Sequence, residues 1–322
     1  MSIHTPLCDL LGIEFPIGNA GMAGGTALAP LAMAVSKAGG LGAIGGIDAR
    51  GPEFLRAQIR AVRAATDRPF SVNLIAWILD RAPAFLDVCI DERVTSVTMS
   101  FGEAAPHIAR AKDAGLMVIR QVQTIAAARE AVAQGVDVII AQGGEAGGHT
   151  GSVATMALVP QVVDLSRGIP VIAAGGIADG RGLVAALALG CEGINMGTRF
   201  MATKEAPIHQ NVKEKIVSSD ERATSLIFRT MRNTSRVYGN SIAKKAIEME
   251  HEGKTIQEIG PIVSGAKGRV VYETGDLEHG VWSAGTCMGL ISDIPSCKEL
   301  VERIVREAED MIRGRLSKSI AA

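Results

Sequence analysis

Residues 170–197 read PVIAAGGIADGRGLVAALALGCEGINMG and contain a complete strand–helix–strand pattern. The apolar run PVIAA is followed by glycines, by the Ala- and Leu-rich segment GRGLVAALALG, and by a second short apolar run in EGINMG. Short apolar runs bounded by glycine are typical of strands that are buried on both faces, and the segment between them has helical character. The stretch therefore predicts two parallel strands that are joined by a crossover helix.

The same pattern recurs through the first 200 residues. Eight apolar runs predict strands: FPIG (15–18), LGAIG (41–45), FSVNL (70–74), VTSVTMS (94–100), LMVIRQ (116–121), VDVIIA (136–141), PVIAA (170–174) and EGINMG (192–197). Ala-rich helical segments separate them, and several end in a glycine, as helices do. Eight βα units match an α/β fold of the (β/α)8, or TIM, barrel type. The competing fold is a doubly wound sheet, but it commonly has fewer strands, and its GxGxxG motif is missing after the first strand.

The composition changes near residue 205. Segment 206–290 is richer in Lys, Arg, Glu and Met and ends in the Gly-rich stretch GAKGRVVYETGDLEHGVWSAG. Its segments PIHQNVKEKIVSSD, TSLIFRTMRN and SIAKKAIEMEHEGK predict helices, so we expect 206–290 to form a small, mainly helical cap. The barrel then consists of 1–205 and 291–322, where segment 296–316 predicts an amphipathic helix that returns to the barrel wall. Its apolar side consists of Leu300, Val301, Ile304, Val305 and Ile312.

The bulk properties exclude several classes of protein. The 322 residues carry a formal net charge of −1, which gives no electrostatic reason to expect nucleic acid or an anionic membrane surface as a partner. No apolar run reaches the roughly 18–20 residues that span a bilayer, and the first residues lack the layout of a signal peptide. The five cysteines show no metal-type spacing. We expect a reduced, cytoplasmic protein with a small-molecule substrate and no metal, and a homodimer remains open.

Glycine and polar residues follow several predicted strands, and the C-terminal ends of barrel strands are where active sites lie. Gly175 and Gly176 follow the seventh strand, and Gly197 and Thr198 follow the eighth. Adjacent backbone N–H groups in these two loops, aided by a helix N-terminus, form the phosphate site that is typical of barrels. The alternative is that both loops are tight turns that bind nothing.

Three stretches carry a family resemblance: AQGGEAGGHTG (141–151), AAGGIADGRGLVAALALG (173–190) and INMGTRFMATKEAPIH (194–209). They resemble the nitronate monooxygenases, formerly called 2-nitropropane dioxygenases, a family of TIM barrels that bind flavin mononucleotide (FMN). That family is closely similar to flavin-dependent enoyl-acyl-carrier-protein reductases and to NADH:quinone reductases. The resemblance covers nearly the whole chain, including RNTSRV, VSGAKGRVVY and VWSAG in the cap. These motifs are much less specific for the reaction than for the superfamily.

The resemblance implies which residues bind FMN. Its phosphate cradle consists of Gly175, Gly176, Gly197 and Thr198, and its ring site consists of Gly21, Met22, Asn73, Gln121, Gln142, Gly147 and Gly148. Asn73 is expected to hydrogen-bond the polar edge of the flavin ring, since an amide both donates and accepts. Gln121 stands where some relatives have a lysine, and a neutral amide stabilises a reduced, anionic flavin less than an ammonium group does.

His149 is the candidate catalytic residue. An imidazole has an ordinary pKa near ~6.5, so it can take up or give a proton at neutral pH. Over the flavin, it can remove the proton α to a nitro group or donate one to a reduced substrate. The surrounding glycines are then expected to leave room for substrate, and Glu145 is expected to fix the loop as a hydrogen-bond acceptor. The alternative is a histidine that only anchors the loop.

Two enzymatic reactions remain open. In the first, the enzyme oxidises alkyl nitronates (nitroalkanes) with O2 to carbonyl compounds and nitrite, with His149 as the base. In the second, NAD(P)H is the electron donor, a quinone or an enoyl thioester of acyl carrier protein or coenzyme A is reduced, and His149 donates the proton. The flavin-facing loop favours the first reaction, although many monooxygenases have a histidine where this chain has Ser100. The cap motifs favour the second.

Two further interpretations were weighed. The first is a flavin-binding barrel without enzymatic activity, which does not explain why a histidine would lie over an open flavin. The basic residues of the cap are typical of a solvated helical face, and the alternative is that they bind a pyridine dinucleotide or an acyl carrier; they are Arg229, Arg232, Arg236, Lys244 and Lys245.

Overall fold

Eight parallel strands form a closed barrel in the computed structural model, which describes residues 3–231 and 233–319. The strands of this part of the chain are β1 (Ile17–Asn19), β2 (Gly42–Gly45), β3 (Phe70–Ile75), β4 (Ser96–Ser100), β5 (Met117–Val122), β6 (Val138–Gln142), β7 (Gly148–His149), β8 (Val171–Ala174), β9 (Gly193–Met196), β10 (Thr224–Ile227) and β11 (Ser235–Tyr238). The barrel order is β1-β9-β8-β6-β5-β4-β3-β2, and a bridge between Gly18 and Leu41 closes the ring. The predicted (β/α)8 barrel is confirmed.

The helices alternate with the barrel strands and continue into the cap. They are α1 (Pro6–Leu11), α2 (Ala29–Lys37), α3 (Pro52–Ala65), α4 (Ala76–Leu79), α5 (Ala84–Asp91), α6 (Ala105–Asp113), α7 (Ile125–Ala133), α8 (Thr155–Leu165), α9 (Gly180–Ala188), α10 (Thr198–Met201), α11 (Gln210–Val217), α12 (Ser241–His251), α13 (Ile256–Ile259), α14 (Gly265–Thr274) and α15 (Cys297–Asp310). At the start of α9, the Asp179 carboxylate accepts hydrogen bonds from the backbone N–H groups of Arg181 and Gly182, which fixes where the helix begins. None of the described helices is long and apolar enough to cross a membrane.

The amino-terminal end of the barrel is closed by helix α1. Leu7 and Leu11 of α1 belong to one buried cluster with Ile119, Ile140 and Ile172, which project inward from three strands. A second and larger cluster packs the outer faces of the strands against the surrounding helices. Because α1 covers one end of the barrel, the carboxyl ends of the strands are the end that is left for a site.

The last helix of the barrel begins at a capping box. The hydroxyl of Ser296 accepts a hydrogen bond from the Glu299 N–H, and the Glu299 carboxylate accepts one from the Ser296 N–H. The apolar face of α15 is buried as predicted, except at Ile312, where the prediction is wrong. Ile312 lies beyond α15, in the π-helical turn Met311–Leu316, and is 40% exposed.

One prediction about segment 206–290 is wrong in detail. TSLI in TSLIFRTMRN is strand β10 rather than helix, because it pairs antiparallel with β11 from Thr224 opposite Tyr238 to Ile227 opposite Ser235. The Gly-rich stretch begins with helix α14, in which a Cβ on Gly268 would lie 2.7 Å from the Val281 carbonyl oxygen. That glycine serves close packing and does not break the helix. The division into barrel and cap at 206 and 290 stays a prediction.

Candidate active site

Three adjoining cavities lie at the carboxyl ends of the barrel strands. The central cavity encloses about 750 Å³ and is lined by eight predicted residues: Gly21, Met22, Asn73, Gln121, Gln142, Gly147, Gly148 and His149. The glycine cavity encloses about 590 Å³, shares Met22, Gln121, Gln142 and Gly147 with it, and is lined by the other four: Gly175, Gly176, Gly197 and Thr198. The side cavity encloses about 960 Å³ and reaches His149 from outside the barrel. The fold thus brings all the predicted site residues together.

The glycine cavity is a cradle of backbone. Gly175 and Gly176 follow β8 with φ angles of +100° and +76°, a conformation that only glycine adopts without strain. Strand β9 lies beside β8, so Gly197 and Thr198 come to the same place at the start of α10. The Thr198 hydroxyl oxygen accepts a hydrogen bond from the Gly285 N–H at 2.9 Å, which ties the cradle to the end of segment 206–290.

Asn73 presents an unpaired acceptor. Its Nδ2 donates to the Gly21 carbonyl oxygen at 2.6 Å, while its Oδ1 is buried without a hydrogen-bond partner among the described residues. A Cβ on Gly21 would lie 2.1 Å from the Cβ of Asn73, so glycine at that position is what allows the asparagine to pack there. A buried unpaired acceptor is costly, and a ligand that donates an N–H to it removes that cost.

Three glutamines hold the backbone of His149. Gln121 Nε2 donates to Gln142 Oε1, and Gln142 Nε2 donates to the His149 carbonyl oxygen at 2.8 Å. Gln123 Nε2 donates to the same oxygen at 2.9 Å. The predicted cavity residues Gln121 and Gln142 therefore also form a chain of hydrogen bonds that fixes where the histidine backbone lies.

His149 lies on a strand of the cap sheet rather than on a flexible loop. Strand β7 is only two residues long, and its His149 pairs antiparallel with Ser235 of β11. The neighbouring Thr150 N–H donates to the Thr234 carbonyl oxygen at 3.0 Å. The glycines of this segment also serve packing, because a Cβ on Gly147 would lie 2.7 Å from the carbonyl carbon of Ala284. That glycine makes room for protein backbone.

The imidazole of His149 is exposed on one side and crowded on the other. The Phe101 ring lies 5.2 Å from it between centroids, at an interplanar angle of 52°. Desolvation by the surrounding loops lowers the pKa of His149 below its ordinary value. Among the residues that the structure describes, neither ring nitrogen has a hydrogen-bond partner. The imidazole is therefore a neutral base at pH 7 and can exchange a proton with a ligand.

Two charged residues hold the loop before β7. Glu145 accepts hydrogen bonds from Thr155, at 2.9 Å from the backbone N–H and 2.8 Å from the hydroxyl, as expected of a loop-fixing acceptor. Arg236 donates from Nε and Nη2 to the Gly144 carbonyl oxygen, at 3.1 and 3.0 Å. Arg236 lies on β11 and is half-buried, so its assignment to a solvated helical face is wrong. Arg232, from the same basic set, lies outside the described residues.

The turn after β4 contributes residues that were not among the predicted catalytic and cofactor-binding residues. Phe101 has a φ of +45°, and the Trp77 N–H donates to its carbonyl oxygen at 3.3 Å. Arg120 donates to the carbonyl oxygens on both sides of Phe101, from Nη1 to Met99 at 2.9 Å and from Nη2 to Gly102 at 2.8 Å. The only signal in the sequence is the SFG that follows the strand. From the cap, Tyr272 and Ser283 complete the wall of the central cavity.

The family model named nitronate monooxygenase matches residues 4–85 and 80–307, which is most of the chain. The chain belongs to the nitronate monooxygenase family. It is therefore a flavin-dependent oxidoreductase of this family. No group of three or more His, Cys, Asp or Glu residues that could hold a metal ion is found in residues 3–231 and 233–319.

Three relatives span nearly the whole chain. One is the 5-hydroxy-7a-methyl-1-oxo-octahydro-1H-indene-4-carboxyl-CoA dehydrogenase of Mycobacterium tuberculosis, which is 35% identical over 96% of this chain and 97% of its own. Another is the nitronate monooxygenase of Paraburkholderia phytofirmans, which is 31% identical over 95% of each chain. The structure of FabK from Thermotoga maritima superimposes with a TM-score of 0.93 at 41% identity, over 99% of this chain and 100% of that one.

The residues of this family member fit a flavin nucleotide. Gly175 and Gly176 line the glycine cavity, and within the described residues neither of their backbone N–H groups donates a hydrogen bond, so both are available to a phosphate. The unpaired Oδ1 of Asn73 is an acceptor for the imide N–H that a flavin ring carries. These features lie in the walls of adjoining cavities, as one ligand with a phosphate and a ring requires.

Proposed function

We propose that this protein is an FMN-dependent oxidoreductase that reduces an α,β-unsaturated acyl thioester, with NAD(P)H as the electron donor and His149 as the proton donor. One observation carries the proposal: His149 lies at the junction of the central and side cavities, and neither of its ring nitrogens has a hydrogen-bond partner in the described part of the chain. A substrate whose reacting carbon lies in the central cavity can extend past His149 into the side cavity. A long thioester uses this open-ended space better than a small nitroalkane does.

The chain supplies binding, orientation and proton transfer. Gly175, Gly176, Gly197 and Thr198 would hold the FMN phosphate, and the residues of the central cavity would hold the ring, with Asn73 at its polar edge. A bound FMN supplies the centre that takes up electrons and gives them back. His149 would hold a proton on a ring nitrogen and deliver it to the substrate carbon, while the three glutamines and β11 keep its backbone fixed.

Two further observations support the thioester. The M. tuberculosis relative, at 35% identity, is named as a carboxyl-CoA dehydrogenase, and its name places a thioester in its substrate. The position where many nitronate monooxygenases have a histidine holds Ser100, which is buried and donates to the Leu74 carbonyl oxygen at 3.3 Å. Strand β4 therefore presents no second acid–base group to the central cavity.

Oxidation of alkyl nitronates or nitroalkanes with O2 is the second candidate. Its specific support is the lowered pKa of His149, since a neutral imidazole at pH 7 is a base that can remove a proton α to a nitro group. The P. phytofirmans relative, at 31% identity, is named as a nitronate monooxygenase. In this reaction the substrate supplies the electrons, so NAD(P)H is not needed.

Anaerobic stopped-flow spectroscopy separates the two candidates. The purified holoenzyme is mixed separately with NADH, NADPH and propyl-2-nitronate, and loss of flavin absorbance is followed. We expect rapid bleaching with one nicotinamide, then rapid return of colour when crotonyl-CoA is added to the bleached enzyme. Bleaching by the nitronate and by neither nicotinamide would overturn the thioester proposal and support the second candidate.

A further inference from the structure

The side cavity has no assigned role and opens directly onto His149. It lies between the turn after β4, the start of α7 and the segment before β11, and it shares Phe101, Gln121 and His149 with the central cavity. Its wall is mostly polar, with hydrogen-bonding side chains at Gln123, Thr124, Asn233 and Thr234. A cavity of this kind, continuous with a reacting centre, fits a polar part of the substrate.

Arg120 brings a positive charge into the wall of this cavity. The residue is 7% exposed, and an arginine side chain stays protonated in proteins. Its described hydrogen bonds go to two backbone carbonyl oxygens, and no carboxylate within the described part of the chain forms an ion pair with it. Two of its five N–H groups are used in this way, so hydrogen-bonding capacity remains.

The charge of Arg120 is only weakly balanced. Desolvation is the main influence on its pKa and lowers it, while the nearby carboxylates of Glu103 and Glu130 raise it. Both glutamates are exposed, so solvent screens them. Glu130 lines the cavity rim from α7. A buried cation with no anion beside it is costly to the protein, and an anionic ligand beside it recovers part of that cost.

We propose that the side cavity binds an oxyanion, a phosphate or a carboxylate, that the substrate carries at a distance from its reacting carbon, with Arg120 as the cation that recognises it. The inference rests on the proposed function in one respect, because the reacting part of the substrate is taken to lie in the central cavity. The carboxylate of Glu130 at the rim of the cavity repels the same anion. Arg120 and Glu130 are therefore specificity-determining residues of opposite sign.

Equilibrium binding tests the cavity without turnover. Calorimetric titrations of the holoenzyme with coenzyme A and with pantetheine, which lacks its phosphates and its adenosine, compare an anionic with a neutral ligand, and Arg120→Met isolates the contribution of the charge. We expect coenzyme A to bind at least about tenfold more tightly, Arg120→Met to abolish that difference, and Glu130→Lys to increase it about threefold or more. The difference should shrink between 50 and 300 mM KCl, since salt screens the attraction. Equal affinities in the wild type would overturn a carrier phosphate as the anion, and the whole proposal fails if no KM responds to Glu130→Lys either.

Steady-state kinetics then identify the source of the anion. The substrates are crotonyl-CoA, the neutral crotonyl N-acetylcysteamine thioester, and the mono-N-acetylcysteamine thioester of glutaconic acid, which carries a carboxylate. If the bound anion is a phosphate of the carrier, Glu130→Lys should lower KM for crotonyl-CoA alone. If the bound anion is a carboxylate of the acyl group, Glu130→Lys should lower KM for the glutaconyl compound alone. The neutral thioester serves as the control.

The variants are matched so that misfolding does not decide the result. Arg120 also supports the turn around Phe101, so Arg120→Met can disturb His149, whereas Glu130 is exposed and its side chain has no described hydrogen bond. If Glu130→Lys changes neither the affinity for coenzyme A nor any KM, the side cavity does not bind an anion. If coenzyme A binds in an Arg120-dependent manner but no thioester is turned over, the proposed function fails and the anion site stands.

Discussion

The ring of Phe101 lies against the imidazole of His149, with 5.2 Å between the ring centroids. Phe101 holds this place with a φ of +45°, which is strained for a residue other than glycine, and Arg120 donates to the carbonyl oxygens on either side of it. Strain of this kind persists only where the surroundings enforce it. A turn of the barrel thus sets the environment of a histidine whose backbone belongs to the cap sheet.

Replacing Phe101 should change the titration of His149. Phe101→Leu removes the ring that helps to shield the imidazole, so water enters and the pKa of His149 rises toward its ordinary value. We expect kcat to fall about fivefold and the pH profile of kcat/KM to move to higher pH. Phe54→Leu, at a half-buried phenylalanine on the distant helix α3, is the control. A loss of kcat with an unmoved pH profile would mean that Phe101 acts only on structure.

The direction of the pH dependence distinguishes the two reactions. Because burial lowers the pKa of His149 below 6.5, a proton donor loses its proton as the pH rises through that lowered value. For thioester reduction, kcat/KM should therefore fall with increasing pH above it, by about tenfold per unit at most. For a nitroalkane, the base must be neutral, so kcat/KM should rise with increasing pH up to the pKa of His149 and stay constant at higher pH. Measurements of kcat/KM from about pH 5 to 8 test both expectations. If kcat/KM for the thioester began to fall only above pH 6.5, the desolvation of His149 would be contradicted.

A methyl group on the cradle should weaken FMN binding. Gly175→Ala adds a Cβ at a φ of +100°, 3.0 Å from the Gly143 carbonyl oxygen, and the strain of about 1–2 kcal/mol displaces the backbone. We expect the FMN dissociation constant to rise at least about tenfold, measured by flavin fluorescence. Gly168→Ala is the matched control, since Gly168 has a φ of +88° and open space around its Cβ. The Gly168→Ala variant should lose a similar amount of stability and keep its FMN affinity. Equal losses of FMN affinity in both variants would contradict phosphate binding at the cradle.

The contact between Arg236 and Gly144 should be needed for catalysis as well as for stability. Arg236→Met removes two hydrogen bonds from the guanidinium group to a half-buried carbonyl, and hydrogen bonds to charged groups contribute about 1.5–3 kcal/mol each. Urea unfolding should show a loss of about 3–6 kcal/mol, and kcat should fall about tenfold because the chain before β7 loosens. Arg222→Met serves for comparison, since that exposed cap arginine forms ion pairs with the neighbouring Asp220 and Glu221. Unchanged kcat in Arg236→Met would show that the loop does not depend on this contact.

The barrel was predictable because its signals are local. Each predicted strand lies within two residues of an observed one, since buried parallel strands are short apolar runs with glycine at their ends. The gathering of Gly21, Asn73, His149 and Gly175 around one space follows from the same topology, because barrel strands bring their carboxyl ends to one face. Their binding and catalytic roles stay predictions.

The errors lie where distant segments decide the structure. Strand β7 has two residues and no pattern of its own, and it exists because β11, about 85 residues later, pairs with it. Thr224–Ile227 lies in a segment that reads as helix but pairs with the same β11. The positions of Arg120 and Phe101 depend on how two loops pack together, and the hydrophobic periodicity of the sequence does not predict that packing.

Single-turnover kinetics of His149→Gln test the central claim most directly. The variant is first bleached anaerobically with NADH or NADPH and then mixed with crotonyl-CoA, so that electron uptake and transfer to the thioester are observed separately. Glutamine keeps the backbone contacts of His149 and removes only the group that delivers a proton. We expect bleaching within about threefold of the wild-type rate and return of the flavin colour at least about a hundredfold more slowly. Return of colour at the wild-type rate would contradict proton donation by His149.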